Sequence, residues 1–241
     1  MSRIFKYEFI RARSLKSTWI FPVIGIALSW LIAYFGLKDA DLMMNVEGMA
    51  VPPTFALAIN NSFSPLSIFF ITIPFAQAFG HEFRDGTMRL TLSAYPQRAR
   101  VFVAKLLIPS VLAIVSGLIA MAGIFFLYKT FISVQDYSGA LNLAGRHIAF
   151  TIVWGLIVAA VVIFSRNLAA GVAGVVVWAA ILEQIVAGLL STRWPKVVDY
   201  LPLSKGMEWA SGGQTKDLIV IATATVITVG LAGMKFLKRD A

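Results

Sequence analysis

The chain has 241 residues, no cysteine and 14% charged side chains, against 59% hydrophobic ones, with a mean hydropathy of +0.80. A soluble domain carries about 25% charged residues, so this balance excludes a disordered or collagen-like chain and an ordinary soluble enzyme. It fits an all-α integral membrane protein. Without cysteine there are no disulfides, iron–sulfur clusters or thiolate metal sites, and the formal net charge of +9 must be explained by where the positive residues sit.

Residues 2–16 read as a helix lying on a membrane surface. At about 100° per residue, Ile4, Phe5, Phe9, Ala12 and Leu15 share one arc, and Arg3, Lys6, Arg11 and Arg13 lie outside it. Glu8 and Lys16 intrude on the apolar arc, and Ile10 sits among the basic residues. A basic amphipathic helix beside a span belongs at an anionic inner leaflet. The plainer reading is a basic tail that only sets topology.

Six runs are long and apolar enough to cross a bilayer, which takes about 20 residues. They are 18–37, 54–79, 106–128, 147–164, 168–190 and 218–236. The second is interrupted by Asn60, Asn61 and Pro65, and is the one that could be shortened or split. Barrel strands are about 10 residues long and alternate apolar with polar, and these runs do neither. In lipid a helix satisfies its own backbone hydrogen bonds, so the runs predict helices. The first is too long for a secretory signal and has no small-residue cleavage site at Lys38, so it reads as a retained span.

Lysine and arginine favour the cytoplasmic side of short loops. Five precede the first span, and Arg84, Arg89, Arg98, Arg100 and Lys105 follow the second. With both termini inside, fourteen of the 21 basic residues fall on the inner side, although the loop after the fifth span runs against the trend. The net charge is then mostly a topology signal. Nucleic-acid binding would need a basic patch on a soluble face, and the reading leaves no soluble domain to carry one.

The most informative stretch is 80–101, Gly80-His-Glu-Phe-Arg-Asp-Gly-Thr-Met-Arg-Leu-Thr-Leu-Ser-Ala-Tyr-Pro-Gln-Arg-Ala-Arg. It mixes both charge signs with Leu90, Leu92 and Tyr95, turns at Gly86–Thr87 and stops at Pro96. Such a loop can form a short helix across the inner surface, with charges to orient a wet interface and apolar groups for contact area. A solvated loop with topology-setting arginines is the bland alternative.

Glu82 with Gly86-Thr87, Arg89, a short apolar run, Pro96, Arg98-Ala-Arg100 and then Lys105 resembles the inner loop of ABC-2 type transporter permeases. The family's step after the proline is usually serine–arginine, and here it is looser. The layout of a basic surface helix, six spans, internal termini and a long outer segment before the last span is similar too. The resemblance implies that residues 2–16 form an elbow helix and that 80–101 form a coupling segment docking on a separate cytoplasmic ABC ATPase. Carried over by motif, Glu82, Arg84, Gly86, Thr87, Arg89, Pro96 and Arg98 belong to that coupling segment. ATP and magnesium are then expected on the partner, with no cofactor on this chain.

Residues 191–216 are too apolar for a free loop, with Trp194, Pro195, Tyr200, Pro202 and Trp209 among them, and too broken for a span. They read as short helices on or dipping into the outer leaflet. Ser211-Gly-Gly-Gln214 imitates an ATPase signature, but the chain has no phosphate-binding loop. Asn60-Asn61-Ser62 matches a glycosylation sequon but lies at or within a span. Glu183 is the acidic residue well inside a predicted span, beside Gln184. A charge there normally faces protein or water, so it is either a pathway residue or a hydrogen-bonded group at a helix contact. Asn60 and Asn61 either line a cavity or mark a shorter second span. His81 and His147 fall on opposite sides and cannot share a metal, and no catalytic motif is present.

The expectation is therefore a non-enzymatic, multi-pass protein of a plasma membrane, the inner membrane in a bacterium. It would be the permease subunit of an ATP-driven exporter of an amphiphilic or hydrophobic cargo, paired with a second copy or a sister permease and in contact with membrane lipids. The alternatives are a secondary transporter or channel without an ATPase, and a non-transporting assembly or sensor subunit.

Overall fold

Four of the helices start where the sequence supplies a side-chain cap or a proline. The computed structural model describes residues 2–47, 52–178, 183–190 and 200–238, and among them the regular structure is entirely helical. The helices are α1 (Ser2–Ser14), α2 (Lys16–Glu47), α3 (Phe55–Ser62), α4 (Pro65–Arg84), α5 (Met88–Ala94), α6 (Arg98–Phe131), α7 (Ala140–Ser165), α8 (Leu168–Val177), α9 (Glu183–Leu190), α10 (Pro202–Ala210) and α11 (Thr215–Lys238). Thr54, Ser64 and Asn167 cap α3, α4 and α8 by accepting the backbone N–H groups of Leu57, Ser67 and Ala170. Pro65 stands in the first turn of α4, where its missing N–H costs nothing.

Among the described residues four helices, α2, α6, α7 and α11, are long and apolar enough to cross a membrane. The α3–α4 pair passes the same test as a broken span, bent by 61°. The bend falls at Phe63–Ser64, between the Asn60-Asn61 turn and Pro65. The expected fifth span, 168–190, contains α8 and α9, but residues 179–182 between them lie outside the described residues, as does 191–199 of the segment after it.

The long helices outrun the apolar stretches that predict them. The run 106–128 sits inside α6, which starts eight residues earlier at Arg98, and α4 continues to Arg84. A helix extends past its membrane-soluble part while its polar turns reach water. The expected 80–101 loop is correspondingly shorter: Glu82 and Arg84 belong to the last turn of α4, and Arg98 is the first residue of α6.

α4 is the hub. Ile71 to Gly80 are all buried, and the helix packs on α2, α6, α7 and α8. Near one end of the bundle Thr18 of α2 donates to the Gln77 side chain of α4 at 3.1 Å. Further along, the Trp30 indole of α2 donates to the Ala120 carbonyl of α6 at 2.9 Å. At the far end Tyr128 of α6 donates to the Pro53 carbonyl and accepts from the Asp136 N–H, both at 3.0 Å. Asp136 in turn accepts from the Ser138 N–H, which holds its carboxyl below the usual range. Ser211-Gly-Gly-Gln214 is the turn between α10 and α11: Gly212 has a left-handed φ of +101°, and Arg146 donates to the carbonyls of Trp209 and Gly213. α1 and the end of α11 meet the first turns of α6, so these two helix segments lie at one end of the bundle.

Outward faces of α2, α6 and α11 expose Ile20, Val23, Leu118, Phe126, Val226 and Ile227, as expected where lipid is the solvent.

Close approach of α4 and α7 depends on Gly155, where an added methyl would collide with the Phe75 ring. Gly155→Ala is expected to cost about 1–3 kcal/mol through overpacking. Gly36→Ala, with nothing within 4 Å of the new methyl, should be neutral or stabilise by up to about 1 kcal/mol. Thermal unfolding of the two purified variants in detergent compares them, and equal losses would contradict this packing.

Candidate functional site

At the end of the bundle that holds α1 and the end of α11, four charged side chains from three helices meet, three of them buried and Arg11 part-buried. Glu8 and Arg11 come from α1, Glu82 from the last turn of α4 and Lys105 from the second turn of α6. Glu8 is 1% exposed, Lys105 0% and Glu82 4%. Glu8 and Arg11 are one helical turn apart, so they leave the same face of α1. The arc that carries Ile4 and Leu15 also carries Glu8, and it turns that carboxylate into the protein.

The contacts close a ring. Arg11 reaches Glu8 Oε2 at 2.7 Å and Glu82 Oε1 at 3.2 Å. Lys105 Nζ reaches Glu8 Oε1 at 2.8 Å and Glu82 Oε1 at 2.5 Å. Both cations also donate to the Ala78 carbonyl of α4, Arg11 at 2.8 Å and Lys105 at 3.2 Å. That carbonyl lies four residues before Glu82 and would take its place in the helix ladder, so the bonds add to an acceptor already on the cluster's side of α4. Two carboxylates face two cations, so the group is formally neutral. Glu82 Oε2 is buried and has no hydrogen-bond partner. A cavity of about 20 Å³ adjoins the ring, lined by Glu8, Arg11, Thr18, Gln77, Lys105 and Pro109 among others.

Beyond Glu82 the chain turns sharply. Arg84 donates to Asp85 at 2.8 Å and holds that exposed carboxyl below the usual range. Gly86 has a left-handed φ of +67°, which suits a residue without a Cβ. Thr87 precedes α5 without a side-chain cap bond. α5 then buries Met88, Thr91 and Leu92 and exposes Arg89 and Leu90, the latter 71% accessible. Pro96 is exposed before α6, and Arg98 donates to the Leu237 carbonyl of α11 at 3.4 Å.

The seven residues named by motif therefore separate into two sets. Arg84, Gly86, Thr87, Arg89 and Pro96 face solvent around α5, and Arg98 is half-buried beside the end of α11. Glu82 points inward and binds Lys105 and Arg11. The other named residues lie far along the chain. Asn61 is exposed, and Asn60 keeps a buried Oδ1 without a partner. Glu183, 1% exposed, accepts from the Trp178 indole at 3.1 Å and from the Ser204 N–H at 2.7 Å. Ser204 is in the first turn of α10, where an anionic acceptor is favoured, so Glu183 ties α9 to the start of α10. His147 stacks on Phe63 at the opposite end of the bundle from His81. Among the described residues no three of His, Asp and Glu gather where a metal ion could sit.

Sequence reasoning alone misses Glu8, Arg11 and Lys105 as a set. The signal was Glu8 on the apolar arc of α1. Arg11 is local, but Lys105 and Glu82, which complete the ring, are far along the chain, and nothing local points to them. Comparison of the sequence with protein-family models and with curated proteins finds no match.

The ring makes a thermodynamic prediction. Lys105→Met leaves two carboxylates sharing Arg11 and is expected to cost about 3–5 kcal/mol. Adding Glu82→Gln restores neutrality and should return at least about 1 kcal/mol of that loss. A double-mutant cycle by thermal unfolding reads the coupling, and strictly additive losses would show that the residues do not act together.

Proposed function

We propose that this chain is the membrane-spanning permease subunit of an ATP-driven ABC-2 type exporter. It crosses the membrane six times, counting α3–α4 and α8–α9 as one crossing each, with both termini cytoplasmic. The observation that carries the reading is the ring of Glu8, Arg11, Glu82 and Lys105. It fastens the surface helix α1 to the end of α4 and the start of α6, immediately beside α5. A soluble subunit that moved α5 would move two long helices and the surface helix as one body. That is the mechanical requirement for turning ATP-driven closure into a rearrangement of the membrane helices.

In this reading the coupling residues have two jobs. Arg89 and Leu90 offer charge and apolar area outward from α5, where a partner can reach them. Glu82 is a positioning residue: it is buried, and it acts by holding α1 and α6. A second permease copy or a sister permease completes the pathway, and ATP and magnesium stay on the ATPase. The cargo class suited to an apolar helical interior is amphiphilic or hydrophobic.

Purification of the tagged chain from native membranes is expected to recover a nucleotide-binding ATPase in equal amount. Arg89→Ala with Leu90→Ala should lower cargo-stimulated ATP turnover by at least about tenfold, the scale of lost interface anchors, with insertion unchanged. Arg13→Ala on the exposed face of α1 serves as the control. Consistent absence of the ATPase, with transport surviving ATP depletion, would favour a secondary transporter and end this proposal.

A further inference from the structure

On the side of Glu82 away from α1, the ends of α4, α7 and α11 and the short helix α5 enclose a cavity of about 190 Å³. Its apolar lining includes Phe83, Met88, Leu92, Ile163 and Phe236. Three cations also line it, Arg89, Arg166 and Lys235. Lys235 is occupied, donating to the Phe164 carbonyl at 2.9 Å. Arg89 and Arg166 have no side-chain partner among the described residues. Arg166 stands in the two-residue turn between α7 and α8 at φ +52°, the one non-glycine residue with positive φ among the described residues. A glycine would make that turn with less strain.

The cavity does not end in solvent alone. Arg166 and Phe83 also line a larger groove of about 780 Å³ between α2, α4 and α8. Its walls include Phe21, Phe69, Phe70, Ile73 and Val172. Along α4 the groove runs from Arg84 to Phe69, about 22 Å at 1.5 Å per residue. One leaflet of hydrocarbon is about 15 Å deep. Arg166 thus stands at the junction of a small polar-rimmed cavity and a long apolar groove, and Arg89 lines the small cavity beside it.

We propose that these two spaces hold one phospholipid. The phosphodiester sits on Arg89 and Arg166, which match phosphate oxygens as paired donors. A hydroxyl or amine on the headgroup donates to Glu82 Oε2, the buried carboxylate oxygen that has no protein partner. An acyl chain lies in the groove against Phe69, Phe70 and Ile73. Glu82 does not make the cavity repel anions, because Lys105 and Arg11 already balance its charge. The shared chemistry is a phosphate, and the apolar groove selects a lipid over free phosphate.

The test uses the full chain in detergent, with binding read by native mass spectrometry and thermal shift. The probes are short-chain phosphatidylglycerol, its tail-less headgroup glycerophosphoglycerol, and inorganic phosphate. Phosphatidylglycerol is expected to bind and stabilise. Arg89→Ala with Arg166→Gly should weaken it at least about tenfold, the scale of a lost charge-assisted bond, while the glycine relieves the turn and keeps the fold. Ala173→Phe, which narrows the groove, should weaken the lipid as well. Lys6→Ala with Arg13→Ala removes the same charge from exposed α1 and should change binding by no more than about twofold. Headgroup or phosphate matching the lipid at equal concentration would make this a free-phosphate site and overturn the lipid assignment. Unchanged lipid binding in the Arg89–Arg166 variant would overturn the site. No ATPase enters the assay, so its outcome is separate from that of the transport reading.

Discussion

The organisation of this protein depends on a set of charges that should not be buried. Moving an ion out of water costs several kcal/mol even after relaxation, and Glu8, Glu82 and Lys105 are buried together, with Arg11 part-buried against them, at the end of the bundle where α1 starts and α11 finishes. The arrangement is tolerable because each charge faces an opposite one within 3.2 Å and the sum is zero. Such rings add little net stability compared with a well-packed apolar core. What they add is discrimination. A sliding α1 could rebury its apolar arc in many registers on lipid or protein, but only one register satisfies Glu8 and Arg11 together. The ring converts a helix that would otherwise float on a surface into a fixed part of the bundle.

The same constraint explains why α4 is central. Its final turns supply the shared acceptor Ala78 and the carboxylate of Glu82. Its middle is buried on every side. A helix enclosed in this way cannot bend smoothly at its start without exposing backbone groups. The chain instead breaks cleanly at Phe63–Ser64, with Ser64 capping the new helix and Pro65 entering where no N–H is needed. The break absorbs the change in direction, and α2, α6, α7 and α8 pack on α4 beyond it.

Much of this is legible in the sequence, and the limit is physical. Apolar runs of about 20 residues depend only on local composition, so the cores of α2, α6, α7 and α11 can be read directly. The interruption at Asn60, Asn61 and Pro65 is equally local, and the chain bends there. Helix ends are less legible, because α6 continues through Arg98 to Lys105 on backbone bonding and tertiary contacts that hydropathy does not register. The ring is the opposite case. Glu8 stands out as an acid on an apolar arc, but of the two cations that neutralise it only Arg11 is local, and Lys105 is 97 residues away. A motif that places Glu82 with Arg84 and Arg89 groups residues by spacing, whereas the fold buries the first and leaves the other two exposed.

The buried glutamates share a logic that composition alone conceals. Glu8 and Glu82 join α1, α4 and α6, and Glu183 joins α9 to the first turn of α10. In each case an acid taken out of solvent sits where one element must be held against another that hydrophobic packing alone would let slide. Apolar contact is non-directional, and in a protein whose outer surface is as apolar as its interior it cannot by itself choose between a correct seam and a shifted one. A charge-assisted bond chooses, because a shift of one residue leaves the charge unpaired. With 14% charged residues the chain has few such groups, and their placement at element junctions sets which helices move together and which are free to move apart.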